Sequence, residues 1–459
     1  MNKDSKPHDG GSTTRAQFAT RLGVIATTVG SAVGLGNIWR FPYEAGSHGG
    51  GAFMLCYVFF IFIIGIPVIC AEFIMGRGTH SNIIGAYRKL APGKPWYWAG
   101  YMGILASILI LSFYSVVAGW TLEYFIQSVS GNLDLGSTAA FHDRFESFAS
   151  SNYRPALFAL LFLAVNYLIL RRGVTAGIER MSNILMPVLF LLLLIFCINS
   201  LMMPGADEGL RFLFKPDFSA ITPTVLLGAM GQAFFSLSLG LGCMATYASY
   251  FNHRTQLARS ATLTASLDTL VAVLAGVMIF PAVFTFGFSP SAGPTLVFEV
   301  LPSILHSLPG GIVWSSLFFF LLILASLTST ISMSEISIAF IIEEKKMDRR
   351  KATALNTCVA MVLATLCALS FGCLSGMTIF GMTLFNLFDY LSSNILLPLG
   401  GMVCSFFVGW IADRAFVRSQ LTNGGTLRLR AMRVIIFCIR WIAPVCIAIV
   451  FLNSIGFIN

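Results

Sequence analysis

Charged side chains are scarce in this sequence. They make up 11% of its 459 residues, against about a quarter in soluble domains. That scarcity excludes an ordinary water-soluble globule. Paired cysteine motifs are missing too. The ten cysteines all lie inside or beside apolar runs without a CxxC pair, so they are expected to be small buried hydrophobes rather than disulfides or zinc ligands. Six histidines are scattered without metal-ligand spacing. No nucleophile–base constellation is visible, which argues against an enzyme. The polar first residues lack the basic-then-apolar order of a cleaved signal peptide.

What is present is apolar: 56% hydrophobic residues and a mean hydropathy of +0.80. Runs long enough to cross about 30 Å of hydrocarbon fall near 20–42, 52–75, 97–127, 155–170, 181–202, 222–250, 260–286, 312–342, 353–373, 377–411 and 434–457. They predict an all-α polytopic membrane protein of eleven helices. With the N-terminus inside, the inner segments hold 23 of the 29 Lys and Arg. The outer segments hold only Arg144, Arg154, Arg211 and Lys215. This bias sets the orientation and puts the C-terminus outside the cell membrane. It also accounts for the net charge of +9 by a face beside anionic lipid, with no nucleic-acid partner.

Two spans are interrupted. Residues 30–42 read GSAVGLGNIWRFP and residues 234–242 read FFSLSLGLG. Each interior glycine costs about 1 kcal/mol relative to alanine. Glycines also permit close helix packing, but both clusters sit mid-span in corresponding positions of two units. An odd number of spans separates the units, which inverts one relative to the other. Paired broken helices of this kind point to a transporter's midplane site. Bare backbone at that depth must line a cavity or hold something.

These segments closely resemble the neurotransmitter:sodium symporter family, with its LeuT-like fold. The resemblance runs over nearly the whole chain through ATRLG (19–23), GLGNIWRFP (34–42), GGGAF (49–53), GQAFFSLSLGLG (231–242), TYASY (246–250) and ASLTSTIS (325–332). It implies a 5+5 inverted repeat with helices 1 and 6 unwound. The divisions would be a tail at 1–14, repeats at 15–202 and 203–412, and a loop with helix 11 at 413–459. The eleven-helix form looks like the bacterial amino-acid branch. It further implies two sodium sites. The first would use the Ala32 carbonyl, Asn37, Ser236, Asp268 and the substrate carboxylate. The second would use the carbonyls of Gly30, Val33 and Ala325 with the hydroxyls of Thr328 and Ser329. Asp268 stands where asparagine is common, so its charge is expected to replace chloride and leave transport chloride-independent.

The resemblance places the substrate at Ala32, Gly34, Leu35, Gly36, Tyr114 and Ser236. Ile110, Phe235, Ser238, Leu241, Ser329 and Met333 would line its side-chain pocket. Gly34 replaces the monoamine branch's aspartate, which favours amino acids. A pocket without fixed charge favours neutral, hydrophobic or aromatic ones. Arg40 with Asp389 would form an outer gate, and Arg15 with Glu343, beside Tyr250, an inner gate. Phe18 stands where tryptophan is common. Gly177 and Pro187 would let helix 5 unwind, Glu72 would support helix 6, and residues 290–309 would form an outer lid. The expected activity is sodium-coupled import by alternating access, by a monomer or weak dimer. A non-transporting sensor and a sodium-conducting channel are the alternatives.

Overall fold

A computed structural model of the chain describes residues 16–133, 138–289 and 296–457. Arg15 and part of the expected outer lid therefore lie outside the described residues. Within them the chain is helical, and no strand forms beyond an isolated bridge between Ile379 and Met382.

The first pass is split into α1a (Arg21–Ala32) and α1b (Gly36–Ser47), bent by 54° at the break. The next passes are α2 (Gly51–Thr79), α3 (Tyr97–Val129), α4 (Arg154–Leu170) and α5 (Val174–Leu201). The sixth is again split, into α6a (Pro223–Ser236) and α6b (Cys243–Ala248). Then follow α7 (Leu257–Thr285), α8 (Gly311–Lys345), α9 (Arg349–Leu369), α10 (Leu384–Ile411) and α11 (Met432–Ser454). Eight of these helices are individually long and apolar enough to cross a bilayer. The sixth pass is not, because its halves run only 14 and 6 residues.

Local chemistry sets the boundaries. The Thr20 hydroxyl accepts from the Gly23 N–H and starts α1a. Thr222 caps α6a, whose first residue is Pro223. There the fixed φ fits and no N–H is missed. Gly173, at φ 98°, separates α4 from α5, a conformation that costs glycine nothing. A π-helical turn opens α5 at Val174–Glu179.

The core is one continuous apolar cluster in which α8 packs along α3. The outward faces of α4, α5, α9 and α11 expose large apolar side chains such as Leu161, Leu191, Val362 and Val445, as a surface facing lipid does. The cysteines are free; Cys358 and Cys373 are exposed, which corrects their expected burial.

Candidate functional site

Both breaks fall where the glycine clusters predict them. α1a ends at Ala32, and Val33 turns extended at φ −66°, ψ 120°. The N–H groups of Gly34 and Leu35 would otherwise close the helix onto Gly30 and Ser31. Instead the Gly34 N–H donates to Asn37 Oδ1 at 2.9 Å and the Leu35 N–H donates to Tyr114 Oη at 3.0 Å. Carbonyls of the last turn of α1a are thereby left as free oxygen donors.

The second break runs from Leu237 to Gly242, between α6a and α6b. Ser238, Gly240 and Gly242 all have positive φ. Gly240 also lies so close to α10 that a Cβ would come within 2.4 Å of the Leu397 carbonyl. The buried Glu72 carboxylate of α2 accepts from the Gly240 N–H at 2.8 Å and the Ala245 N–H at 3.1 Å. It thus ties off both sides of the unwound stretch, as its position in the sequence implies.

Asn37, Ser236 and Asp268 converge between the breaks, all fully or almost fully buried. Asn37 Nδ2 donates to Asp268 Oδ1 at 2.8 Å and to Ser236 Oγ at 3.0 Å. The Ser236 hydroxyl donates to Asp268 Oδ2 at 2.6 Å. Tyr57, which sequence reading missed, donates to Ser236 Oγ at 3.3 Å. An uncompensated carboxylate at this depth is costly. Here the Asn37 amide N–H₂ and the Ser236 hydroxyl donate to it, with Tyr57 behind the serine. The Asp268 and Ser236 oxygens are hard donors of the kind that suits a sodium ion, while Asn37 turns its amide nitrogen toward them and its Oδ1 to the Gly34 N–H.

The second expected set also comes together. Ser329 Oγ lies 3.1 Å and Thr328 Oγ1 3.5 Å from the Val33 carbonyl, and Thr328 Oγ1 donates to the Ala325 carbonyl at 3.0 Å. A Cβ on Gly30 would meet Thr328 Cβ at 3.4 Å. The Val33 and Ala325 carbonyls and two hydroxyls therefore lie together between α1a and α8.

Gly34 is held tightly. A Cβ there would stand 2.5 Å from Ser329 Oγ and 3.0 Å from Tyr114 Oη. Gly36 faces the Phe235 ring in the same way, at 3.2 Å. Ile110 on α3, Leu241 in the α6 break and Ser329 and Met333 on α8 are buried nearby on these packed elements. Ser329 and Met333 are one turn apart and so share a face.

The outer pair is not in contact. The Arg40 guanidinium lies 4.2 Å over the Phe235 ring and its Nε is 3.3 Å from Glu44 on its own helix. Asp389 accepts from the Ser393 hydroxyl at 2.8 Å. The end expected to face inward is held by bonds between elements. Phe18 is buried, its N–H donates to the Tyr250 carbonyl at 3.0 Å, and its ring meets the edges of Tyr247 and Tyr250. Glu343 accepts from the Asn82 backbone and side chain at 2.8 and 2.9 Å.

Two acids at the inner end were not predicted. Glu335, fully buried in α8, accepts from Tyr250 Oη at 2.6 Å and takes a two-pronged pair from Arg349 at 2.7 and 3.0 Å. Its signal was plain: an acid within the apolar run ISMSEISIAF. Glu179, in the π-helical turn beside Gly177, accepts from the Ala19 and Thr20 N–H groups at 2.9 and 3.1 Å. It thereby holds the start of α1a. Pro187 lies farther along α5.

Comparison with known proteins agrees with this architecture. The family model described as the sodium:neurotransmitter symporter family matches residues 15–152 and 140–458. An uncharacterized sodium-dependent transporter of Bacillus subtilis is 40% identical, over 96% of this chain and 98% of its own. The sodium- and chloride-dependent GABA transporter 2 of Bos taurus is 26% identical, over 98% of this chain and 81% of its own. A crystal structure of MhsT in complex with L-phenylalanine superposes with a TM-score of 0.88 at 44% identity, covering 96% of this chain and all of that one. The chain, a multi-pass membrane protein of LeuT-like fold, belongs to the sodium:neurotransmitter symporter family.

Proposed function

We propose that this protein imports a neutral, hydrophobic or aromatic L-amino acid together with sodium, by alternating access. The observation that carries the proposal is the joint break of α1 and α6. It leaves backbone N–H and carbonyl groups bare around Asn37, Ser236 and Asp268. The Leu35 N–H, now on Tyr114 Oη, is a donor suited to a substrate carboxylate. Gly34 leaves no room for an added side chain, so the substrate must bring its own acid. Leu35, Ile110, Leu241 and Met333 carry no charge and are buried, so a charged substrate side chain would be desolvated without compensation. That MhsT was crystallised with L-phenylalanine supports the aromatic end of this class.

Sodium at Ala32, Asn37, Ser236 and Asp268 would touch the substrate carboxylate. Such a contact is worth roughly 6 kcal/mol at an effective dielectric of about 20, before desolvation, so neither partner binds well alone. The second ion belongs at Gly30, Val33, Ala325, Thr328 and Ser329. Two ions, each with a tenfold gradient and 100 mV, supply roughly 7 kcal/mol, enough for about 10⁵-fold accumulation. Gly177 and Pro187, on either side of Glu179, let α5 loosen when the second ion leaves. The basic face is cytoplasmic.

The experiment is uptake of a mixture of the common amino acids into proteoliposomes, with and without a sodium gradient. Saturable, sodium-dependent uptake of Leu, Phe, Tyr or Trp is expected. Uptake of none, or of only charged species, overturns the assignment. Replacing chloride with gluconate is expected to leave the rate unchanged, because Asp268 supplies the balancing charge.

A further inference from the structure

At the basic end of the bundle a cavity of about 710 Å³ opens where α4 ends, α5 begins and α9 begins. It is lined by Tyr167, Arg171, Arg172, Ala176, Arg180 and Arg350. Four guanidinium groups in one small space repel each other. None makes an ion pair within the described residues, although the acids nearest in sequence are occupied. Glu179 accepts from the start of α1a. Asp348 accepts from the Arg350 backbone N–H at 3.1 Å rather than from its guanidinium. The neighbouring Arg349 shows the contrast. It turns inward to the buried Glu335 and also donates to the Leu170 carbonyl at 3.1 Å, pinning α9 to α4 and leaving Arg350 on the cavity wall.

The cavity's position says which anion would fill it. Exposed apolar side chains run away from it along α4 (Leu168, Val165, Leu161) and along α9 (Leu355, Val359, Val362). These are the faces that meet lipid tails. A molecule that places an anionic phosphate among the arginines while its chains follow these stripes satisfies both halves of the site. Basic pockets between helices on this side of a membrane take phospholipid headgroups. Guanidinium forks match phosphate oxygens two at a time. Arg171 already lies 5.8 Å from the Tyr167 ring, which holds its fork at the cavity rim.

We infer that this cavity binds the phosphate diester of an anionic phospholipid. The inference is independent of the substrate assignment, and its test does not use transport. The full-length protein in detergent is titrated with phosphatidylglycerol or phosphatidylcholine, and bound lipid is counted by native mass spectrometry. Phosphatidylglycerol should be retained in preference. At roughly fivefold per arginine, the triple variant R171Q/R172Q/R350Q should weaken it on the order of a hundredfold. R428Q/R430Q/R433Q, with the same charge loss elsewhere, should leave it unchanged.

Equal retention of the two lipids, undiminished binding by the pocket variant or an equal loss in the control overturns the inference. Inorganic phosphate gives the last arm. If it fills the site and phosphatidylglycerol does not displace it, the site takes free phosphate and the lipid assignment fails. Should the triple variant not fold, R172Q and R350Q singly, each about fivefold weaker, decide the matter together with the wild-type competition.

Discussion

The residues expected to gate the two ends of this protein are held by different kinds of bond. At the inner end the contacts join separate elements: Phe18 to Tyr250, Tyr250 and Arg349 to Glu335, Asn82 to Glu343, and Glu179 to the start of α1a. At the outer end the two charges expected to meet are each engaged within their own helix, Arg40 with Glu44 and Asp389 with Ser393. Bonds between elements must be broken for the bundle to move, whereas bonds within a helix travel with it. The Arg40–Asp389 pair is thus open, although other bonds at that end, Arg154 with Glu123 and His142 with Glu299, do join separate elements. In the proposed alternating-access cycle this is the arrangement expected of one half, with the Arg40–Asp389 pair joining only on closing.

The inner latch should yield the largest effect. Removing one member of a buried ion pair leaves the other unpaired and costs about 3–5 kcal/mol. Glu335→Gln should therefore lower the stability of the purified protein by that order in thermal or denaturant unfolding. Pairing it with Arg349→Gln should restore part of the loss. If Glu335→Gln costs less than about 1 kcal/mol, the inner end is not latched by this pair, and the contrast between the two ends fails.

Between the ends, Gly34 gauges how tightly the site is closed around bare backbone. In Gly34→Ala the new methyl meets Ser329 Oγ and Tyr114 Oη. Overpacking of this kind costs typically 1–3 kcal/mol, so binding of labelled amino acid should weaken tenfold or more. Full binding by Gly34→Ala would mean that the α1 break relaxes freely.

The outer pair should affect stability least and motion most. Arg40→Gln loses a cation–π contact with Phe235, worth about 0.5–1 kcal/mol. Asp389→Asn should change stability by less. Since no ion pair joins the two and only the charge of Arg40 reaches Asp389, their effects on unfolding should couple by less than about 1 kcal/mol, while each abolishes most uptake. Coupling above about 1 kcal/mol without substrate would show that they are already joined and erase the difference between the ends.

Much of this was legible in the sequence because membrane helices write their rules in composition. The spans are apolar runs of fixed length, and the breaks are glycine clusters that an ordinary packing helix would avoid. Asn37, Ser236, Asp268 and Glu72 were readable through the family resemblance, and their burial between the helices agrees with it. Glu335, an acid within an apolar run, was overlooked beside the more familiar gate residues. Glu179 was harder, since a carboxylate near a span end reads as solvated. Only the fold shows that it caps the backbone of a helix some 160 residues away. The separation of Arg40 from Asp389 was not legible at all. A sequence states which groups are able to meet, while the conformation decides whether they do.

The smallest expected effect lies at the surface beside α3, at the end expected to face outward. His142, on the helix Thr138–Ala149, lies 3.1 Å from Glu299, at the start of the segment that runs into the helix Leu301–Ser307. The hydrogen bond to Glu299, followed by its charge, raises His142 above the ordinary histidine range, and Glu146 and Asp143 add to this. A raised pKa means the folded state binds the proton more tightly. The stabilisation is complete below the unfolded histidine value of about 6.5 and is lost as pH rises through the higher folded value. Half-exposed as it is, the pair is a weak bond that screening by salt weakens further. Unfolding temperature should therefore fall slightly across this window in the wild type and stay flat in His142→Gln, with the two converging at higher pH. An equal slope in the variant would assign the pH dependence to other groups. It would remove this contact between two surface segments from the comparison.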